Sequence, residues 1–168
     1  KSPAGLTSRW QEKRPFVMLS VPSSLTRRLM TDPASLIESL KMTPHPEGGH
    51  FAETFRADDN SASLIFYLLK NDERSHWHRL TKNEILHFYD GDPMRVLLST
   101  DGVSIQEKTL GRDAIDNEPY HLIIPKDTWF SMQSTGDWSL IGCTVSPAFS
   151  FDDFELAPKG WMPGRGHP

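Results

Sequence analysis

The sequence has 168 residues, of which 37% are hydrophobic and 24% are charged, and this length suits one domain with a sizeable core. Its net charge of −4 divides into +5 over residues 1–29 and −9 over the remainder, and such an acidic body argues against a nucleic-acid partner. The best apolar run, 64–69, is far shorter than the roughly 18–20 residues that cross a bilayer, so we expect no membrane partner. The single cysteine, Cys143, excludes an internal disulfide and favours a reducing, cytoplasmic location.

Residues 1–29 are basic and contain three prolines, and we expect them to form a flexible leader. An arginine-rich, acid-poor leader is also typical of a transit peptide or of a segment that binds anionic lipid. A helix is predicted directly after it, because Thr31 or Asp32 can cap and Pro33 suits the first helical position. A single domain is therefore predicted over 30–157, followed by a loose Pro/Gly-rich tail over 158–168.

Short strands follow the helix at close and regular spacing. The predicted strands are 50–57, 61–69, 75–79, 84–89, 94–99, 103–108, 120–125, 129–134 and 138–147. Asp101 and Gly102 predict a two-residue hairpin, and residues 149–156 fit either a last strand or a short helical turn. This pattern predicts an all-β sandwich or barrel rather than alternating βαβ units.

The stretch SHWHRLTKNEILHFYDGDP, residues 75–93, carries the strongest chemical signal. On a strand, His76 and His78 would point to the same face, and Glu84 would begin the next strand. Two imidazoles and one carboxylate are a ligand set for Fe, Mn, Ni or Zn with open positions. His78 and Glu84 are equally candidates for acid–base catalysis. The plainer interpretation is that both imidazoles line a barrel and bond each other, water or a small ligand.

Other side chains are candidates for contacting a ligand. Arg56 and Arg79 could clamp an anion, or one of them could hold Glu84 as a buried ion pair. Glu53 and Glu47 come from the front of the sheet, at a pocket rim or in a turn. The aromatic candidates for ligand contact are Tyr67 and Trp129. The orientation of His87 and of His121 stays open, because a β-bulge would reverse the simple alternation.

The pattern of His76, His78, Glu84 and Gly91 resembles the first motif of the cupin superfamily, with one extra loop residue. In the second motif Pro125 fits, but Phe130 stands where metal-binding cupins have a histidine. The resemblance therefore implies a site that lacks the fourth ligand, and a barrel without metal is favoured over a metal centre.

A closer resemblance extends over most of the chain after Met30, to an RmlC-like cupin branch. The blocks that carry it are HPEGGHFAETFR, WHRL, EILHFYDGDP, LIIPKDTWF and GCTVSPAFSFDDFEL. The resemblance implies a double-stranded β-helix, or jelly roll, with one short N-terminal helix, and pairing into homodimers.

Two classes of function follow. The favoured one is a β-barrel that binds a small polar or anionic, sugar-like ligand without chemistry. The alternative is an enzyme. It would be either an RmlC-like sugar epimerase or isomerase that uses His/Glu acid–base chemistry, or an oxygenase or isomerase that depends on a metal held by two histidines and one glutamate.

Overall fold

The computed structural model describes residues 32–113 and 118–165, and the predicted basic leader at 1–29 lies outside the described residues. The described part contains one α-helix, one 3₁₀ helix and eleven strands. The elements are α1 (Pro33–Ser39), β1 (Thr43–Pro44), β2 (His50–Arg56), β3 (Ser63–Lys70), β4 (His78–Leu80), β5 (Glu84–Gly91), β6 (Met94–Ser99), β7 (Gln106–Leu110), β8 (His121–Ile124), β9 (Trp129–Ser134), β10 (Trp138–Val145), the 3₁₀ helix (Phe151–Asp153) and β11 (Phe154–Leu156).

The strands form two antiparallel sheets. Within the described ranges, the first sheet has the order β1-β2-β3-β10-β5-β8, and the second has the order β11-β4-β9-β6-β7. Some neighbouring strands are consecutive, such as β2 and β3, but others are distant in the chain, since β10 lies between β3 and β5 and pairs antiparallel with both. The expectation of an all-β jelly roll with one short helix is confirmed.

Helix α1 begins as the sequence predicts. Asp32 is the N-cap, its side chain accepts a hydrogen bond from the Ala34 amide at 3.3 Å, and Pro33 is the first helical residue. The apolar side of the helix packs on the outer face of the six-stranded sheet, against Leu68 and Leu140. The helix thus covers one part of that face and leaves the rest open.

The core lies between the two sheets, where the inward residues of each strand meet. Glu84, Leu86 and Phe88 alternate toward this interior along β5, as period-two strand geometry requires. Leu86, Met94 and Ile141 are completely buried, and each such side chain stabilises the fold by about 1.5–3 kcal/mol.

Two local predictions were wrong in detail. The strand predicted over 75–79 is β4, which begins only at His78. Ser75 forms one backbone bond to Met132, its amide donating to the carbonyl at 3.0 Å, but the return bond from the Met132 amide goes to the Ser75 hydroxyl at 2.8 Å instead of completing a strand ladder. The predicted two-residue hairpin at Asp101 and Gly102 is a longer loop between β6 and β7, in which the Asp101 carboxylate accepts from two backbone amides. For residues 149–156 the sequence allowed either a last strand or a short helical turn. The structure contains both, the 3₁₀ helix and β11.

The described part of the tail packs on the outer face of the five-stranded sheet. The ring of Trp161 lies 4.6 Å from that of Trp129 and 6.2 Å from that of Trp77.

None of the described helices is long and apolar enough to cross a membrane.

Candidate functional site

A cavity of about 300 Å³ opens between the two sheets, at the low end of the usual size range of ligand pockets. Its residues come from β2, β3, β5 and β10 of the first sheet, from β4, β9 and β11 of the second, from the turn before β2 and from the segment between β10 and β11. Most of the wall is apolar, and four phenylalanines contribute to it. They are Phe51, Phe149, Phe151 and Phe154. A small group of ionisable side chains interrupts this apolar surface.

His78 has a defined tautomer because both of its ring nitrogens have partners. Nδ1 lies 2.7 Å from the carbonyl oxygen of His76, which can only accept, so Nδ1 carries the proton. In the neutral ring Nε2 is then an acceptor, and it lies 3.2 Å from Oε2 of Glu47. The ring packs against Phe130 with 4.0 Å between centroids, so the phenylalanine at the position of the absent fourth ligand supports the imidazole.

Glu47 supplies the proton that this geometry requires. The side chain is buried, and burial, followed by the charge of Glu84, raises its pKa well above the usual value. Burial lowers the pKa of His78 to about 3. A neutral Glu47 that donates to a neutral His78 therefore fits the site better than an ion pair.

The turn before β2 places Glu47 at the cavity. Gly48 and Gly49 have positive φ values of 113° and 67°, a region that other residues rarely adopt. The Tyr67 hydroxyl donates to the carbonyl of Gly48 at 2.8 Å, and the His76 amide donates to the carbonyl of Glu47 at 2.7 Å. Tyr67, a predicted ligand contact, thus holds this turn and does not line the cavity.

Glu84 is the first residue of β5 and lines the cavity. Burial raises its pKa to about 7, and a hydrogen bond from the Cys143 thiol acts in the opposite direction. Burial and the neighbouring Glu84 charge raise the pKa of Cys143 well above its usual value. Cys143 is therefore a thiol that donates to Glu84 and not a reactive thiolate.

His76 does not lie in the cavity, which corrects the expectation that it converges with His78. It precedes β4, so the alternation of strand side chains does not apply to it, and its Nε2 lies 3.0 Å from the carbonyl oxygen of Pro158. The carboxyl group of Glu47 occupies the place beside His78 that His76 was expected to take.

The ligand set proposed for a metal does not assemble. Across residues 32–113 and 118–165, no three His, Cys, Asp or Glu side chains are arranged to hold a metal ion. His76 points to the tail, His78 uses both nitrogens for protein partners, and Phe130 cannot ligate. The residues present do not fit the Fe, Mn, Ni or Zn site expected of His76, His78 and Glu84.

The two candidate arginines have different positions. Arg56 lines the cavity, but its Nε and Nη2 bond both carboxylate oxygens of Glu53 at 3.2 and 2.6 Å, and its Nη1 donates to Phe149 at 3.1 Å. Arg79 lies outside the cavity, where it pairs with Glu155 at 2.7 Å and covers the ring of Trp129 at 4.6 Å. Neither arginine pairs with Glu84.

Trp129 also lies outside the cavity. It is buried, with Trp77 and Ala157, in the cluster on the outer face of the five-stranded sheet. The predicted ligand contacts Arg79 and Trp129 therefore belong to one packing arrangement on the far side of that sheet from the core.

The sequence left the orientation of His87 and His121 undecided, and in the structure both side chains face away from the cavity. His87 and His121 are cross-strand partners on β5 and β8, and His87 Nε2 lies 3.1 Å from the hydroxyl of Thr144. His121 is exposed, so it does not replace the absent fourth ligand.

His45 was missed by the sequence reasoning. Its Nδ1 lies 3.5 Å from Oε2 of Glu47, and burial lowers its pKa to about 4. The His-x-Glu spacing inside HPEGG was the available signal. The contact between Cys143 and Glu84 had no sequence signal, because the two residues are 59 positions apart and meet only through the pairing of β5 with β10.

Comparison with known proteins places the chain in a family. A family model described as Cupin superfamily (DUF985) matches residues 34–157. A protein of known crystal structure from Shewanella oneidensis is 34% identical, with a TM-score of 0.71 over 76% of this chain and 85% of that one. A hypothetical protein from Leishmania major is 23% identical, with a TM-score of 0.70 over 78% of this chain and 90% of that one.

More distant similarity concerns the fold alone. An oxalate decarboxylase from Bacillus subtilis is 13% identical, with a TM-score of 0.55 over 67% of this chain and 29% of that one. No curated protein matches the chain. Since the family model matches well over half of the sequence and the cavity lies between the two sheets of a jelly roll, the chain belongs to the cupin superfamily, in the family described as DUF985.

Proposed function

We propose that this cupin domain binds a small polar ligand in the cavity between its sheets. The observation that carries the proposal is the convergence of Glu47, His78 and Glu84 on one largely apolar cavity. Buried polar groups are costly unless they are hydrogen-bonded, and among the residues that the structure describes the weak thiol donor of Cys143 is the only side-chain partner of Glu84. A ligand with hydroxyl or carbonyl groups would complete this arrangement.

A thermal-shift screen of nucleotide sugars, free sugars and small carboxylates tests the proposal. A ligand at a hundred times its Kd raises the free energy of unfolding by about 2.7 kcal/mol. We expect His78→Ala and Glu84→Gln to remove the shift while the proteins stay folded. His76→Ala is the matched control, since its side chain bonds the tail; an equal loss in this variant would argue against the cavity as the binding site.

An acid–base enzyme is the second candidate. The observation that favours it is that the cavity contains both a possible general base, Glu84, and a possible general acid, Glu47 bonded to His78. Glu84, with a pKa of about 7, can act as a base near neutral pH, and Glu47 with His78 holds a proton that can be given up. Such a pair could remove a proton beside a carbonyl and return it, which is the chemistry of a sugar epimerase or isomerase.

Deuterium uptake distinguishes the two candidates. An enzyme of this kind would exchange the proton beside the carbonyl of a keto sugar for deuterium in heavy water, as followed by proton NMR. Glu84→Gln should abolish the exchange and retain part of the binding. Ligands that bind without any exchange in the native protein would favour the binding function.

A homodimer and a cytoplasmic location also remain proposals. The part of the six-stranded sheet that α1 leaves uncovered exposes Tyr89 and Ile123 to 44% and 57%, and such a face suits a second copy of the chain. The buried free thiol of Cys143 agrees with a reducing compartment.

A further inference from the structure

We propose that the cavity selects a neutral ligand, with an apolar ring or chain and a hydroxyl, amide or carbonyl end, and that it discriminates against carboxylates and phosphates. This inference rests on the proposed binding function and narrows its ligand class. It replaces the broader expectation of a polar or anionic ligand.

The positive charge at the cavity is already neutralised. In the part of the chain that the structure describes, Arg56 is the only lysine or arginine that lines the cavity. Its guanidinium forms the two-point contact with Glu53 and a third bond to the carbonyl of Phe149. An anionic ligand would have to displace the Glu53 carboxylate from a paired geometry before it gained a cation.

The histidines at the cavity offer no replacement cation. His78 is buried and donates its Nδ1 proton to a carbonyl, and His45 accepts a hydrogen bond at Nδ1 from the Glu47 amide at 3.4 Å. Both rings have lowered pKa values because of burial and are neutral near pH 7.

The carboxyl groups oppose an anion directly. Glu47 and Glu84 both line the cavity, and burial raises the pKa of each. A carboxylate or phosphate beside them would be a buried charge without a counter-ion, which carries a large desolvation cost. A neutral hydroxyl or carbonyl group meets none of this cost, because protonated carboxyls donate hydrogen bonds as well as accept them.

The apolar wall defines the remainder of the ligand. Phe51, Phe149, Phe151 and Phe154 all line the cavity, and Phe151 is 59% exposed at the rim. Aromatic side chains of this kind pack against a ring or an aliphatic chain. The cavity thus combines a neutral hydrogen-bonding region with an aromatic surface.

Matched pairs of probes test the charge preference on the whole chain. Benzamide and benzoate have nearly the same shape, and benzyl alcohol and benzyl phosphate extend the comparison. We expect the neutral member of each pair to bind at least about tenfold more tightly by ligand-observed NMR titration at pH 7. Equal or tighter binding of benzoate and benzyl phosphate would overturn the charge preference and leave the proposed binding function intact. If neither these four probes nor any compound of the wider screen binds, the binding function itself is wrong, and this inference with it.

Two charge-removing variants sharpen the test. Glu53→Gln frees the guanidinium of Arg56, so the affinity for benzoate should rise and the preference for benzamide should shrink by at least about threefold. Glu155→Gln frees Arg79 in the same way but outside the cavity, so the preference should be unchanged. A preference that responds equally to both variants, or to neither, would contradict the assignment of discrimination to the Arg56–Glu53 pair.

Discussion

The protonation of Glu84 is the residue-scale feature with the clearest consequence. Cys143 faces it from β10, Glu47 from the turn before β2 and His78 from β4, and none of these groups is a cation at neutral pH. Its carboxyl group therefore keeps its proton to a pKa of about 7, against about 4.5 without the protein around it. A buried acid of this kind links the stability of the fold to pH.

Glu84→Gln should remove that linkage. In the native protein the unfolded chain releases the Glu84 proton at lower pH than the folded chain does, so the contribution of Glu84 to the free energy of unfolding falls as pH rises from 4.5 to about 7. Between pH 4 and pH 8 the variant should gain about 3 kcal/mol relative to the native protein in urea unfolding. The lowered pKa values of His78 and His45 act in the opposite direction, because their contribution to the free energy of unfolding rises with pH up to about 6.5, but it is the same in both proteins and cancels in the difference. Parallel pH curves for the two proteins would show that Glu84 is ionised in the folded state.

Glu47 allows a second test at this scale, of the neutral pair with His78. Glu47→Gln keeps a donor for Nε2 of His78, so it should cost less than about 1 kcal/mol. Glu47→Leu leaves Nε2 buried without a partner and should cost about 1–3 kcal/mol more in urea unfolding. Nitrogen-15 NMR should show His78 protonated at Nδ1 alone in the native protein. If Gln is as harmful as Leu, the pair is ionic and His78 is charged.

The turn between β1 and β2 is the element that determines the geometry of the site. Glu47 reaches His78 because Gly48 and Gly49 turn the chain through conformations with positive φ, and Tyr67 fixes the turn from β3. A Cβ at Gly49 would lie 2.7 Å from the carbonyl oxygen of Leu68 and 2.6 Å from Cδ2 of Leu69. A change in this turn should therefore affect both stability and the site.

Gly49→Ala and Gly102→Ala are a matched pair for this element. Both glycines have nearly the same φ, 67° and 70°, but a Cβ at Gly102 meets nothing within 4 Å. Gly102→Ala should cost about 1 kcal/mol from backbone strain alone. Gly49→Ala should cost roughly 3 kcal/mol or more in urea unfolding and should also abolish the ligand-induced thermal shift. Equal costs would mean that the turn yields to the added methyl group without harm.

At the scale of the whole molecule, the six-stranded sheet has an outer face that is only partly covered. Helix α1 packs over β3 and β10, whereas the side chains of β5 and β8 on this face have no covering element in the described ranges. Tyr89 lies across Gly142, where any side chain would collide with its ring, and Ile123 and His121 continue the surface. This surface is the basis of the proposed homodimer.

Ile123→Glu tests the homodimer. A buried, unpaired carboxylate at an interface is costly, so the variant should sediment as a monomer at concentrations where the native protein is a dimer. Val103→Glu is the control, since Val103 is 66% exposed in the loop between β6 and β7 and should not alter the sedimentation. A native protein that is monomeric at all concentrations, or an Ile123→Glu dimer, would contradict the proposed face.

Local features of the chain were predictable because they depend on residues that are close together in the sequence. The Asp32 cap, Pro33 and the apolar side of α1 needed only spacing along a helix, and the inward position of Glu84 needed only alternation along β5. The order of the sequence blocks from HPEGG to GCTVSPAF indicated the resemblance to cupins, and the jelly-roll fold was inferred from that resemblance. His78 and Glu84 both line the cavity, and their binding and catalytic roles remain predictions.

Contacts between distant segments were decided only by the tertiary structure. Whether His76 or Glu47 stands beside His78 depends on where β4 begins and on the path of the HPEGG turn, and no spacing in the sequence encodes either. Arg79 meets Glu155, 76 positions away, for the same reason. The sequence by itself determined the strand pattern, the helix and the presence of a histidine and a glutamate facing the interior. Only the packing of the sheets, which buries these groups together and sets their protonation, decided what kind of site they form.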